Sequence, residues 1–299
     1  MMNGHIRLSK KPIQMIVPSD VGSNIDVQAR LLAEAAGPLL GNSITIVNKP
    51  GKRTVFGVTE ALEAPADGYT LIFLIIPSIA IQPYLHGIPY TYRDLVPVAN
   101  VSETYIMLYC NMDSPWRTLE EFIGYAQHTR TIIGCSGMGM LPHIAGIELA
   151  KKAEAAFSYV GYPSSHHAIE ALMEKKTDVA LVLSSAHDEK LRTLAIFEPE
   201  RKPSLPRVPT AKEQGYDVIG YVRDSIAVKK GTPPEIIDAL GDAFKKALVT
   251  PQIQSAFFSR KTEIKYLNSK DTMKLWISAV KAYRWVFDEI RQTQESART

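Results

Sequence analysis

Apolar residues in this chain switch repeatedly between the two-residue rhythm of strands and the 3.6-residue rhythm of helices, and that alternation limits the fold more than any other feature. Ile13-Gln14-Met15-Ile16-Val17 is a short β-branched run closed by Pro12 and Pro18, as a buried strand requires. Residues 26–39 then place Val27, Leu31, Leu32 and Ala35 at helical spacing, with Asp26 near the positive end of the helix. A strand over 44–47, a helix over 56–62 and a strand over 70–76, entered from the turn Asp67-Gly68, complete the series. Strand and helix in strict alternation build a parallel sheet covered on both faces.

The segment 96–110 is extended and too long for one ordinary strand, so it reads as a crossing into a second domain. There Thr118 and Glu121 form a capping box that opens a helix through Gln127. A strand over 131–135 enters the loop Ser136-Gly137-Met138-Gly139-Met140, and a helix begins near Pro142. Further strands are expected over 156–160, 178–183 and 192–196, with a helix over 167–175. Residues 218–228 form the return crossing, and Thr232 caps a helix with Pro in its first turn and Glu235 at the third position. A last amphipathic helix opens at Ser269 and carries Met273, Trp276, Ile277, Val280, Val286, Phe287 and Ile290 on its apolar side. These terminal helices have no sheet of their own and are expected to pack on the first domain. The domains are placed at residues 1–108 with 224–299, and at 109–223.

Composition excludes several classes. A chain of 299 residues, 45% hydrophobic, is long enough for two cores. Its net charge of +3 comes from scattered Lys and Arg, so no nucleic-acid footprint is visible. Cys110 and Cys135 are too few for a disulfide framework and read as buried apolar residues. The longest apolar run, residues 71–77, falls far short of the ~20 residues of a membrane span, and residues 1–5 show no secretory signal pattern. Gly134-Cys135-Ser136-Gly137-Met138 lacks the last glycine of a nucleophile elbow, no P-loop occurs, and Gly137-Met138-Gly139 is too short for a dinucleotide fingerprint. His143, His166 and His167 have no carboxylate at ligand spacing. The expectation is a non-catalytic protein without cofactor or metal.

Ligands of open α/β sheets sit beyond the carboxyl ends of strands, where helix starts expose unpaired backbone N–H groups. Two loops here fit: Pro18-Ser19-Asp20-Val21-Gly22-Ser23-Asn24 and Gly134-Cys135-Ser136-Gly137-Met138-Gly139. Facing one another across a cleft, they would clamp an anion without a full positive charge.

Residues 18–32, Asn48-Lys49-Pro50-Gly51, Ala66-Asp67-Gly68-Tyr69-Thr70-Leu71, Leu95-Val96-Pro97-Val98 and Pro142-His143-Ile144-Ala145-Gly146 occur in a familiar order and spacing. Leu205-Pro206-Arg207-Val208-Pro209-Thr210, Glu213-Gln214-Gly215-Tyr216 and Gly231-Thr232-Pro233-Pro234 continue the series. The chain thereby resembles, from about Pro12 to the last helix, the extracytoplasmic receptors of tripartite tricarboxylate transporters, often called Bug proteins. The resemblance implies an α/β fold of the bilobed periplasmic-binding-protein type II, with two domains joined by two crossover strands. It also implies a monomeric periplasmic receptor that captures a small carboxylate and hands it to the permease subunits of such a transporter. A sensor that reports carboxylate to a signalling partner is the alternative.

By matched position the resemblance assigns ligand contacts to Ser19, Asp20, Gly22, Ser23, Arg53, Thr54, Ser78, Ser136, Met138, Gly139, Tyr162 and Ser184. Four segments depart from the family pattern, one of them Val160-Gly161-Tyr162-Pro163-Ser164-Ser165-His166-His167, where Pro-Tyr followed by Lys and paired glycines is common. Asp20-Val21-Gly22-Ser23 stands where Pro-Pro-Gly-Gly is usual, Lys52-Arg53-Thr54-Val55 replaces a glycine-rich stretch, and Ser184-Ser185-Ala186-His187-Asp188-Glu189 replaces a longer segment that usually includes an Asp. Arg53 offers a bidentate partner for a carboxylate.

Overall fold

The computed structural model describes residues 11–51, 54–88 and 90–286. They form two compact units. Unit 1 takes the chain up to Ser102, Arg223–Phe257 and the residues from Glu263 onward; unit 2 takes Glu103–Val222 and the short excursion Phe258–Thr262.

Unit 1 begins with β1 (Ile13–Val17), α1 (Asn24–Leu40), β2 (Ile44–Asn48), α2 (Val55–Glu63) and β3 (Thr70–Ile75), followed by the short helices α3 (Ile76–Ala80) and α4 (Gln82–His86). β1 lies between β2 and β3 and runs parallel to both, with Val17 opposite Asn48 and Ile16 opposite Ile72. The long strand β4 (Leu95–Asn111) spends its first half in this unit, as β9 (Tyr221–Lys229) spends its second. β9 is antiparallel to β3, placing Asp224 opposite Ile75. α1 starts two residues before the expected Asp26 because Ser23, in extended backbone, caps it by accepting the Asp26 N–H; it stops at Gly41, whose left-handed φ of 64° suits a residue without Cβ.

The last part of unit 1 contains α8 (Pro234–Leu248), α9 (Pro251–Ser259, whose end passes into unit 2), β10 (Glu263–Asn268) and α10 (Ser269–Ala282). Ala29, Leu32 and Ala36 of α1 share a buried cluster with Leu240, Phe244 and Ala247 of α8 and with Ile13, Met15, Leu71 and Phe73 of the sheet. β10 pairs with β4, so the terminal helices do have a strand among them. Its alternation was short and half exposed, which is how an edge strand hides. Thr232 does not cap α8: Pro233 occupies the cap position, and the Thr232 hydroxyl turns back to donate to the Lys229 carbonyl at 2.8 Å. Phe287 and Ile290 of the apolar stripe lie outside the described residues.

Unit 2 is built from the second half of β4 with α5 (Leu119–Ala126), β5 (Thr131–Ser136), α6 (Leu141–Ala153), β6 (Phe157–Tyr162), α7 (Ser165–Met173), β7 (Val179–Leu183) and β8 (Leu191–Ile196). β5 lies between β6 and β7, parallel to both, and β7 and β8 pair antiparallel with β4. Thr118 caps α5 as its spacing to Glu121 predicts. Cys110 and Cys135 are both buried and free, and burial raises both thiols, Cys135 to about 12.

A buried polar chain holds the late elements of unit 1 to its early ones. Trp276 Nε1 of α10 donates to Ser225 Oγ of β9 at 3.3 Å, Ser225 Oγ donates to Asn100 Oδ1 of β4 at 3.3 Å, and Asn100 Nδ2 donates to the Lys265 carbonyl of β10 at 2.6 Å. Trp276 is fully buried. Trp276→Ala should therefore destabilise the protein by about 3–5 kcal/mol. Trp276→Phe should cost less, since it keeps most of the packing; urea titrations of the two variants measure the difference.

Candidate functional site

Because β2, β1 and β3 are adjacent and parallel, the loops that follow them emerge at one edge of the unit 1 sheet. In the first loop, Ser19 Oγ donates to Ser23 Oγ at 2.8 Å, and Ser23 accepts the Asp26 N–H at 3.3 Å. Asp26 is almost fully buried and organises the loop: it accepts the Gly22 N–H at 2.8 Å, Asn48 Nδ2 at 2.8 Å and Arg30 Nε at 3.0 Å. Asn48, at the end of β2, also donates to the Ser19 carbonyl at 3.1 Å. Burial alone would raise the Asp26 carboxyl, but Arg30, the Gly22 N–H and Asn48 outweigh it and hold it below the ordinary value. Asp26 is thus an ionised, fully partnered brace.

The predicted residues fall into different roles. Asp20 and Gly22 are exposed, and the Gly22 N–H is committed to Asp26. Ser19 and Ser23 are half-buried and bonded to each other. Arg53 lies outside the described residues. Thr54 is buried at the start of α2 with φ of 81°, a left-handed conformation that a β-branched residue rarely adopts, and its hydroxyl does not cap the helix. Holding it there costs about 1–3 kcal/mol. α2 presses on the first loop: a Cβ at Gly57 would stand 2.7 Å from Pro18 Cβ, so only glycine allows the approach. Ser78, fully buried, follows β3 directly in α3.

Thr54 Oγ1, Ser78 Oγ and Asn24 Oδ1 are buried atoms with no hydrogen-bond partner among the described residues. All three belong to segments that follow adjacent parallel strands. Asn24, in the first turn of α1, closes the predicted loop but is not among the assigned contacts; its signal is a polar amide placed where the helix N–H groups are unpaired. An open groove over α1 and β2, lined by Arg30, Glu34, Pro38 and Ile44, has no such orphaned side-chain atom.

Unit 2 repeats the geometry with a different outcome. β6, β5 and β7 are adjacent and parallel, with Ser136 opposite Tyr162 and Cys135 opposite Leu181. Ser136 closes β5 and does not cap α6, whose cap position is Met140. The loop turns through left-handed Gly137 (φ 89°) and Gly139 (φ 74°). The Gly139 N–H donates to His143 Nδ1 at 3.1 Å, and burial lowers the imidazole to about 4, so the ring is a neutral acceptor near pH 7. Met138 lies over Gly161, where a Cβ would come 2.5 Å from its Cγ. Tyr162 packs its ring against the buried cluster of Tyr105, Ala180 and Leu172. Ser184, fully buried, donates to the Lys261 carbonyl at 2.8 Å and accepts the Tyr105 N–H at 3.3 Å, anchoring the excursion Phe258–Thr262. Its only hydroxyl proton is therefore spent inside the protein.

Two α/β units, each with a parallel core whose helix starts gather at one strand edge, form an architecture that solute-binding proteins share. Residues 28–291 match the family described as tripartite tricarboxylate transporter family receptor, and the chain belongs to that family. Its members are solute-binding receptors, not enzymes. The UPF0065 protein in the gbd 5' region of Cupriavidus necator is 28% identical over 291 residues, covering 95% of this chain and 89% of the relative. A TctC solute-binding protein from Polaromonas superposes with a TM-score of 0.79 at 26% identity, over 93% of this chain and 98% of that one. MatC from Rhodopseudomonas palustris, solved with bound malate, gives 0.83 at 22% identity, over 94% and 100%. No helix among the described residues is long and apolar enough to cross a membrane.

Asp26→Asn tests the brace. An amide cannot accept from all three partners, so the variant should lose about 1–2 kcal/mol at pH 7. Because the folded carboxyl titrates below its ordinary value of 3.8, the wild-type advantage should be full above that pH and vanish as pH falls through the folded value. Paired urea melts between pH 7 and pH 2.5 read the difference.

Proposed function

We propose that this protein is a periplasmic receptor that captures a small carboxylate and delivers it to the permease subunits of a tripartite tricarboxylate transporter. The observation that carries the reading is the pair of unsatisfied buried donors at the strand edge of unit 1, the Thr54 and Ser78 hydroxyls. A buried hydroxyl without a partner costs about 1–3 kcal/mol, and a fold keeps such a cost where a ligand removes it. Carboxylate oxygens accept from hydroxyls and from first-turn N–H groups, and the N-termini of α1 and α2 favour negative charge. Asp26 does not oppose this, because its charge is already balanced by Arg30, Asn48 and Gly22. Family membership and malate in MatC support the same class of ligand.

In this reading Ser19 and Ser23 shape the first loop while Thr54 and Ser78 touch the ligand, and Arg53, next to Thr54 in sequence, adds a charged partner. In unit 2 Ser184 is structural, and the Gly137 and Gly139 N–H groups are already given to the Cys135 carbonyl and to His143.

A thermal-shift screen of malate, succinate, adipate, citrate and benzoate should find at least one acid that raises the melting temperature. Thr54→Val and Ser78→Ala should each weaken that acid's binding by roughly tenfold, about 1.4 kcal/mol, while leaving the unliganded protein equally or more stable. Arg53→Ala should weaken it as well. If no acid stabilises the protein, or if removing the two hydroxyls leaves affinity unchanged, the reading fails.

A further inference from the structure

Three polar side chains from three elements meet out of solvent in unit 1: Gln28 on α1, Ser102 on β4 and Asp224 on β9, each 0% exposed. Gln28 Nε2 stands 2.9 Å from Asp224 Oδ2, Ser102 Oγ stands 2.6 Å from the same oxygen, and Ser102 Oγ stands 2.6 Å from Gln28 Oε1. Contacts of this length between such atoms each require a proton between them. The amide supplies one and the hydroxyl supplies one. Only the carboxyl can supply the third.

With Asp224 ionised, Ser102 would give its proton to the carboxylate, and two bare oxygens, Ser102 Oγ and Gln28 Oε1, would face each other at 2.6 Å. Turning the Gln28 amide over does not remove the conflict. Its oxygen would then face Asp224 Oδ2, and again only a carboxyl proton fits between them. Asp224 Oδ1 has no partner among the described residues, which is a modest cost for the carbonyl oxygen of a neutral acid and a large one for half of a buried carboxylate.

We propose that Asp224 keeps its carboxylic acid proton well above the pH at which carboxyl groups ordinarily ionise, and that this proton is a clasp joining α1 to β4 and β9 where the chain leaves and re-enters unit 1. The unit boundaries fall immediately after Ser102 and one residue before Asp224. The surroundings agree with a neutral group. α1 presents Gln28, β4 presents Ser102, and β3 places Ile75 opposite in register. The charged chain neighbours Glu103 and Arg223 point to the other faces of their strands by the two-residue alternation. Asp26, two positions before Gln28 on α1, is on another helix face and is held by its own partners. Burial, only partly offset by Ser102 and Gln28, pushes the Asp224 carboxyl up to about 7.

The direction of the effect follows. Stability from the clasp is complete below the ordinary carboxyl value of 3.8, is lost as pH rises toward about 7, and is level above it. Asp224→Asn keeps a donor and an acceptor at this position but cannot ionise. Urea unfolding of the wild type and Asp224→Asn, without ligand, should show the wild-type folding constant falling relative to the variant by more than about tenfold from pH 4 to pH 8. Parallel pH profiles would overturn the proposal. Should the variant fail to fold, carbon-13 spectra of wild-type protein labelled at Asp carboxyls decide the matter: one Asp titrating near neutrality supports the clasp, and none doing so overturns it. Neither measurement depends on carboxylate capture, so the clasp and the proposed function fail separately.

Discussion

A parallel strand must return to its starting edge before the next strand can form, and in both units the return is a helix. That single constraint places every intervening helix start at the same edge of its sheet, where first-turn N–H groups have no partner inside the helix. α1 and α2 meet the edge formed by β1, β2 and β3, and α6 and α7 meet the edge formed by β5, β6 and β7. Anion affinity at those edges is a consequence of topology before any particular side chain is chosen.

What the side chains decide is which polar groups are finished and which are left open. Asp26 binds Gly22, Asn48 and Arg30, and Ser184 binds Lys261 and Tyr105; each is a completed joint of the scaffold. Thr54, Ser78 and Asn24 each keep a buried atom without a partner among the described residues. The Gln28, Ser102 and Asp224 ring lies between these cases, closed in hydrogen bonds only when it holds an added proton. The same accounting of donors and acceptors thus separates scaffold, proposed site and proposed clasp within one unit.

Matched positions in the sequence carried the proposed site only as far as position allows. Ser184 and Ser78 looked equivalent, since each is a small hydroxyl after a strand, yet Ser184 is saturated and the Ser78 hydroxyl has no partner among the described residues. Asp20 is assigned a ligand contact by position but is exposed, and the carboxyl that braces the first loop is Asp26 in the first turn of α1. Those distinctions depend on partners far away in the chain: Lys261 for Ser184, Asn48 for Asp26.

The sequence by itself determined the alternation of strand and helix, the two long extended crossings, the caps at Thr118 and the family, because periodicity, capping and ordered motifs are local properties of the chain. It did not reveal β10, the false cap at Thr232, the excursion Phe258–Thr262 or the meeting of Gln28, Ser102 and Asp224. Each of those is fixed by residues tens to nearly two hundred positions apart or by backbone geometry at a single turn. Only tertiary structure decides which buried polar groups find partners, because the partner is chosen by packing and not by spacing along the chain.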